Sequence, residues 1–237
     1  MSRRAIILAG GKGTRLRPYT VVLPKPLMPI GEFPILEVIV RQLVQHGFDH
    51  ITMAVNHQAE IIKAFFQDGL KWGVRIDYSL EDKPLSTMAP LRLIKDLPEN
   101  FLVMNGDILT DISFSDFFED HVGKSSIFTI SSHVREQKLD YGVLEVDADG
   151  CLSGFTEKPE TKYLVSMGVY MASHRILNFI PEGQSYGFDN LMLDLLAAGK
   201  PASVRKFCGY WLDIGRPDDY AQAIEEFDQM RLRFLSE

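Results

Sequence analysis

Cysteine is nearly absent from this chain of 237 residues: only Cys151 and Cys208 occur, and they form no Cys-x-x-Cys pair. That scarcity argues against structural zinc and against a disulfide framework. Positive charge is also in deficit, with 25 Lys and Arg against 32 Asp and Glu and a formal net charge of −7. Such a balance makes a poor non-specific binder of nucleic acid. No apolar run is long enough to span a bilayer and no secretory signal opens the sequence, so the expectation is a cytoplasmic protein without a membrane partner. Internal repeats, low-complexity tracts and Pro/Gly/Ser-rich linkers are missing too. With 46% hydrophobic residues, the chain has material for a full core, and the expectation is one domain over residues 1–237. Histidines are few, and His57, His121 and His133 stand apart without ligand spacing, as structural or surface histidines do.

What the chain does have is concentrated near its start. Ala5-Ile6-Ile7-Leu8 is an apolar run that reads as a strand buried on both faces. It breaks into Gly10, Gly11 and Gly13, with Lys12 and Arg15 between and after them. Glycine lets backbone N–H groups approach a ligand closely, so a strand opening into a basic, Gly-rich loop suits a phosphate. A Walker A loop needs four residues between its first Gly and a Gly-Lys-Ser/Thr triplet, which this loop lacks. A dinucleotide fingerprint needs a small third residue where Leu16 stands. Pro24-Lys25-Pro26 comes next, and its prolines present Lys25 on stiff backbone.

The coarse pattern alternates. Helical spacing covers Ile35 to His46, with Gly47 ending it, then Glu60 to Phe66 and Pro90 to Leu97; strands are expected at Ile51–Val55, Val74–Tyr78 and Phe101–Met104. Short β and α units in turn predict an α/β, Rossmann-like, doubly wound and mainly parallel sheet. Ligands of such sheets bind at the carboxyl ends of strands, where the loop after Leu8 and Asp107 after Met104 both fall. The second half is richer in strands: Ser126–Ser131, Gly142–Val146 and Val169–Met171, with Asp147 to Gly150 as a hairpin turn. A helix is expected over Tyr186–Leu196, then strands at Val204–Phe207 and Tyr210–Asp213, and Asp218 is expected to cap a last helix running through Arg233.

Leu-Ala-Gly-Gly-x-Gly-Thr-Arg-Leu at Leu8–Leu16, with Pro24-Lys25-Pro26-Leu27 after it, resembles the double signature of the sugar-1-phosphate nucleotidyltransferases, the NDP-sugar pyrophosphorylases. The likeness runs from Ala5 to about Tyr220 and is nearest to the mannose-1-phosphate guanylyltransferase branch, since thymidylyltransferases usually carry Lys-Gln-Leu where this chain has Lys25-Pro26-Leu27. The resemblance implies a nucleotide-binding part over about residues 1–110 and a sugar-binding part over about 111–237. Larger relatives carry a C-terminal β-helix, and the expectation here is a nucleotidyltransferase domain without one. The implied reaction is attack of a sugar 1-phosphate on the α-phosphorus of a nucleoside triphosphate, with pyrophosphate leaving. Such chemistry needs positioning and charge neutralisation more than a nucleophile.

On that resemblance Leu8, Ala9, Gly10, Gly11, Lys12, Gly13 and Thr14 bind the nucleotide, and Arg15 and Lys25 meet the transition-state charge. Asp107, in Asn105-Gly106-Asp107, and Asp213, in Trp211-Leu212-Asp213-Ile214-Gly215, would hold Mg²⁺, with Asp107 counted among the catalytic residues. Two carboxylates, phosphate oxygens and water make the hard oxygen shell that ion prefers. Tyr141-Gly142, Glu157-Lys158 and Gly168 match the family's contacts to the sugar and its phosphate; Ser166 stands where relatives often have Asn. The segment Leu85-Ser86-Thr87-Met88-Ala89-Pro90-Leu91 departs from Leu-Gly-Thr-Ala-Gly-x-Leu, which wraps the base. Ser86 and Thr87 are expected at the nucleotide, and the bulkier Met88 is expected to reshape the base or ribose pocket. Glu81 stands where pyrimidine-using relatives have Gln. An ionised carboxylate only accepts, which suits the N1–H and N2–H donors of guanine. The expectation is therefore a GTP-using enzyme acting on mannose 1-phosphate or a related hexose or heptose 1-phosphate. A UTP-, dTTP- or CTP-using enzyme and a non-catalytic sugar-nucleotide sensor are the alternatives, and homo-oligomer formation is left open.

Overall fold

The computed structural model describes residues 2–56 and 58–235, so the expectation for His57 lies outside the described residues. In chain order the strands and helices are β1 (Arg4–Leu8), β2 (Pro29–Ile30), β3 (Phe33–Pro34), α1 (Ile35–Gln45), β4 (His50–Val55), α2 (Ala59–Phe66), β5 (Arg75–Leu80), β6 (Asn100–Asn105), β7 (Ile108–Thr110), α3 (Phe114–Gly123), β8 (Phe128–Lys138), β9 (Val143–Val146), β10 (Leu152–Thr156), β11 (Glu160–Ser173), α4 (Phe188–Ala197), β12 (Ser203–Lys206), β13 (Trp211–Asp213) and α5 (Pro217–Phe234). Seven strands form one sheet in the order β12-β8-β11-β6-β1-β4-β5. Within it β11 pairs antiparallel with β6 and β8, and the other neighbours are parallel.

The sheet separates two apolar layers. Along β1, Ala5 and Ile7 enter the first layer and Ile6 the second; along β6, Leu102 and Met104 oppose Phe101 and Val103. A strand covered on both faces favours near-continuous apolar residues, which is why Ala5–Leu8 reads as an unbroken run. Helix α1 puts Ile35, Leu36, Val38, Ile39 and Leu43 into the first layer, and α4 puts Leu191 and Leu195 into the second. Each fully buried side chain of this size stabilises by roughly 1.5–3 kcal/mol. Among the described residues no helix is long and apolar enough to cross a membrane.

Two expected elements differ. The helix expected over Pro90–Leu97 is a short 3₁₀ helix, Ala89–Leu93, that ends in extended backbone at Ile94. Its apolar anchors, Leu85, Met88, Leu91, Ile94 and Leu97, all sit in the second layer. Across the 3₁₀ turn itself, Met88, Leu91 and Ile94 recur every third residue, which matches three residues per turn and not 3.6. At the last helix, Asp218 does not cap. Pro217 opens α5, Arg216 is the N-cap without a side-chain bond, and Asp218 and Asp219 lie in the first turn. Proline suits that first position because its missing N–H would have no partner there. The carboxylate of Asp219 reaches back instead to accept from the Gly215 N–H at 3.2 Å.

Between α3 and β8, His121 is fully buried, with Nδ1 2.8 Å from Thr129 Oγ1. Burial, with the Arg175 charge adding and Asp120 opposing, pushes its pKa down to about 4. In an unfolded chain it titrates near 6.5. Between those values the unfolded chain holds a proton that the native protein does not, so stability falls as pH drops through this window. Going from pH 7 to pH 5 should remove about 2 kcal/mol from the unfolding free energy through this group. Urea unfolding at both pH values checks this: the loss should shrink by that amount in His121→Gln, and equal losses in the two proteins would refute it.

Candidate active site

The loop after β1 begins clamped between its neighbours. Ala9 N–H donates to Ala54 O of β4 at 2.8 Å, and Gly106 N–H donates to Leu8 O at 3.0 Å. A cavity of about 320 Å³ opens there, at the carboxyl ends of β1, β4 and β6. It is lined by Leu8, Ala9, Gly10, Gly11, Lys25, Pro26, Asn56, Glu81, Pro84, Leu85, Ser86, Thr87, Asn105, Gly106 and Asp107. Gly13 must be glycine for the protein's own reasons: its φ is +58°, and a Cβ there would lie 2.9 Å from Thr20 Cγ2 and 3.1 Å from Lys25 Cβ. Gly11 differs, because an added Cβ would meet no protein atom within 4 Å. The protein alone does not demand glycine at that place, and a ligand approaching the backbone would. Lys12, Thr14 and Arg15 lie outside the cavity lining, on the loop and the 3₁₀ turn at Thr14–Leu16.

Four charged residues converge beside this cavity. Lys25 sits in a short 3₁₀ turn, Lys25–Leu27, and is buried to 8% exposure. Its ammonium is ion-paired with Asp107 Oδ2. The other oxygen, Asp107 Oδ1, is buried and finds no partner among the described residues. The β7–β13 ribbon brings Asp213 across, paired in register with Ile108, while Ile214 N–H donates to Asp107 O at 3.1 Å. Burial first, and then the Asp107 charge, hold the Asp213 carboxyl above the ordinary carboxylate range, with Lys25 and Arg15 opposing. The Arg15 guanidinium lies against Gly215, where a Cβ would come within 3.4 Å of Nη2. Among the described residues no group of three or more His, Cys, Asp or Glu is placed to hold a metal by itself. Two neighbouring carboxylates with an orphaned buried oxygen fit a hard divalent cation that takes its remaining ligands from phosphate and water.

On the far wall, Glu81 is buried and its Oε2 accepts from Leu85 N–H at 3.1 Å. Burial raises its pKa, and the Leu85 bond pulls it back. Ser86 takes a φ of +68°, a left-handed conformation that costs a residue with a Cβ roughly 1–2 kcal/mol. The next three residues hold it there. Thr87 Oγ1 accepts from Phe188 N–H at 2.8 Å, and the Met88 and Ala89 N–H groups both donate to Tyr186 O at 3.0 Å. The expectation for Met88 is overturned. Its side chain is fully buried in the second apolar layer and does not line the cavity.

The residues assigned to the sugar are not gathered as tightly. Gly168, with φ +75°, backs the cavity: a Cβ there would come 2.7 Å from Asn105 Nδ2. Trp211 Nε1 holds this bend by donating to Met167 O at 2.9 Å. Tyr141, Gly142, Glu157 and Lys158 are all exposed on the β8–β11 arm and its β9–β10 hairpin, and none of them lines the cavity. Two of them lie together, since a Cβ on Gly142 would lie 2.5 Å from the Phe155 ring and 3.0 Å from Glu157 Oε2. Among the other histidines, His133 rests 5.6 Å from the Trp211 ring. Asn56 joins the site without having been expected there. Its signal is a polar residue directly after the five buried residues of 51–55, the position that Asn105 takes at the end of β6.

A family model described as Nucleotidyl transferase matches residues 4–230. The chain is similar, at 36% identity over 241 residues, to a UTP–glucose-1-phosphate uridylyltransferase of Synechocystis sp. (strain ATCC 27184 / PCC 6803 / Kazusa), covering 93% of this chain and 62% of that protein. It is 34% identical over 224 residues to the mannose-1-phosphate guanylyltransferase catalytic subunit beta of Drosophila pseudoobscura pseudoobscura, covering 92% of this chain and 60% of that one. The chain thus spans roughly three-fifths of the length of these curated relatives. Among solved structures, HddC from Yersinia pseudotuberculosis complexed with GMP-PN superposes with a TM-score of 0.71 at 26% identity, covering 95% of this chain and 99% of that one.

Proposed function

The chain belongs to the nucleotidyl transferase family, and from that premise we propose that it transfers a nucleotidyl group from GTP to a sugar 1-phosphate, mannose 1-phosphate or a related hexose or heptose 1-phosphate. An oxygen of the sugar phosphate attacks the α-phosphorus, the bond to the β-phosphate oxygen breaks, and pyrophosphate leaves with an NDP-sugar as the other product. The observation that carries this reading is the convergence of Lys25, Asp107, Asp213 and Arg15 beside a cavity whose Gly11 leaves open backbone. Lys25 and Arg15 neutralise charge building on the phosphates, and N–H groups from Gly10 to Thr14 orient them. Asp107 and Asp213 hold Mg²⁺, which when bound neutralises phosphate charge. Gly168 and the arm residues Tyr141, Gly142, Glu157 and Lys158 receive the sugar phosphate. The same reading makes the chain a single nucleotidyltransferase domain that acts in the cytoplasm.

UTP is the second reading, favoured by the similarity to the Synechocystis uridylyltransferase. Glu81 supports GTP against it. With Oε2 on Leu85, Oε1 makes no hydrogen bond among the described residues and points at the space beside Gly10. An acceptor there matches guanine N1–H and N2–H and opposes the oxygens of uracil. A screen of nucleoside triphosphates against several sugar 1-phosphates, scored by pyrophosphate release, tests the proposal; no release with any pair would refute it. Within that screen Glu81→Gln should cut the preference for GTP over UTP by about 10- to 150-fold, the range of a hydrogen bond to a charged group worth about 1.5–3 kcal/mol. An unchanged ratio would remove Glu81 from base selection.

A further inference from the structure

We propose that Asn56 reads the base as well: its side-chain amide donates to O6 of guanine, completing with Glu81 a donor–acceptor pair across the base edge. The inference rests on the guanine reading above and extends it to a residue to which no role has been given.

Asn56 and Glu81 stand at the carboxyl ends of the adjacent parallel strands β4 and β5, where Glu81 N–H donates to Val55 O at 3.0 Å. Both line the cavity and they flank Gly10: a Cβ there would lie 3.2 Å from Asn56 Cβ and 3.2 Å from Glu81 Oε1. A side chain at position 10 would therefore fill the gap between the two polar groups.

Asn56 Nδ2 is shielded from solvent and has no partner among the described residues. Its backbone carbonyl accepts from Ala59 N–H at 3.4 Å, but the side-chain amide makes no bond that holds this turn. A buried donor left unpaired costs about 1–3 kcal/mol, so a purely structural role would keep a costly group for nothing.

The outer edge of guanine carries the acceptor O6 beside the donors N1–H and N2–H. Glu81 satisfies the donors, and O6 still needs one. The Lys25 ammonium is already engaged by Asp107. The Asn56 amide supplies the missing donor from the neighbouring strand end.

Titration calorimetry on the full chain with Mg²⁺ tests this, using GTP, ITP, which lacks the N2 amino group, and 6-thio-GTP, which keeps N1–H and N2–H but replaces O6 with a weakly accepting sulfur. Wild type should bind GTP most tightly. Asn56→Ala should weaken GTP about tenfold, the worth of one neutral hydrogen bond, and bring GTP level with 6-thio-GTP. The GTP-to-ITP ratio, which belongs to Glu81, should stay. Asn56→Leu, close to asparagine in volume, should behave the same way and guards against a fold defect in the alanine variant. If either folded variant keeps the wild-type GTP-to-6-thio-GTP ratio, the assignment to Asn56 is wrong while the guanine reading stands. If wild type binds UTP and none of the three purine nucleotides, the guanine reading itself falls and the Asn56 assignment falls with it.

Discussion

Asp107→Asn is expected to leave a folded protein whose pyrophosphate release is down by at least about 100-fold, and excess chelator is expected to silence the wild type. The reason lies in how the carboxylate is used. One oxygen is spent on Lys25, and the other is buried without a partner among the described residues. A buried oxygen left in that state is costly, and a bound cation would complete it. The asparagine variant has a second effect that must be separated from the first. It leaves the Lys25 ammonium buried without its counter-charge, which typically costs about 3–5 kcal/mol when a buried pair loses one partner. Asp213→Asn supplies the control. Asp213 is held beside Asp107, a charge of the same sign, and its own burial already disfavours ionisation. Neutralising it relieves that repulsion, so melting temperature should hold or rise while turnover falls. Full activity in the chelator, or an Asp213→Asn protein as active as wild type, would overturn the metal assignment.

How much of the site is legible in the sequence depends on the kind of signal each residue gives. Strand β1 is legible because burial on both faces leaves a continuous apolar run, and the loop after it because glycine and lysine at fixed spacing have few other uses. Lys25, Asp107 and Asp213 stand out through their motifs, yet nothing in the spacing says that the first two pair, or that the β7–β13 ribbon sets the third beside them. Those are long-range consequences of strand order. Met88 misleads because residue size in a departed motif says nothing of which way the side chain turns. The three-residue rhythm from Leu85 to Leu97, once noticed, sends it to the core. Asn56 escapes notice because a single polar residue after a strand is common, and its meaning comes only from the orphaned donor and the neighbour on the next strand.

Lys25→Met should lower kcat by about 100- to 1,000-fold and change the KM for the nucleotide far less, since a preorganised charge aimed at the transition state gives a kcat loss of that order. Preorganisation is visible in the structure. Pro24 and Pro26 fix the backbone on both sides, the side chain is almost fully buried, and Asp107 holds the ammonium at the cavity. The lysine is therefore in place before substrate arrives, and little of its effect is spent on ordering it. Arg15 provides the comparison. It is exposed and lies against Gly215, so Arg15→Ala should spare the melting temperature, whereas Lys25→Met strands the Asp107 carboxylate and lowers it. If both variants cut kcat while only the lysine variant melts earlier, the losses of activity come from the charges and not from a damaged fold. Lys25→Arg keeps the cation but cannot place a compact ammonium where this one sits, so it should recover the melting temperature more fully than it recovers kcat. Steady-state kinetics over a range of GTP concentrations decides the matter: a rise in KM with kcat untouched would mean that Lys25 only binds the ground state.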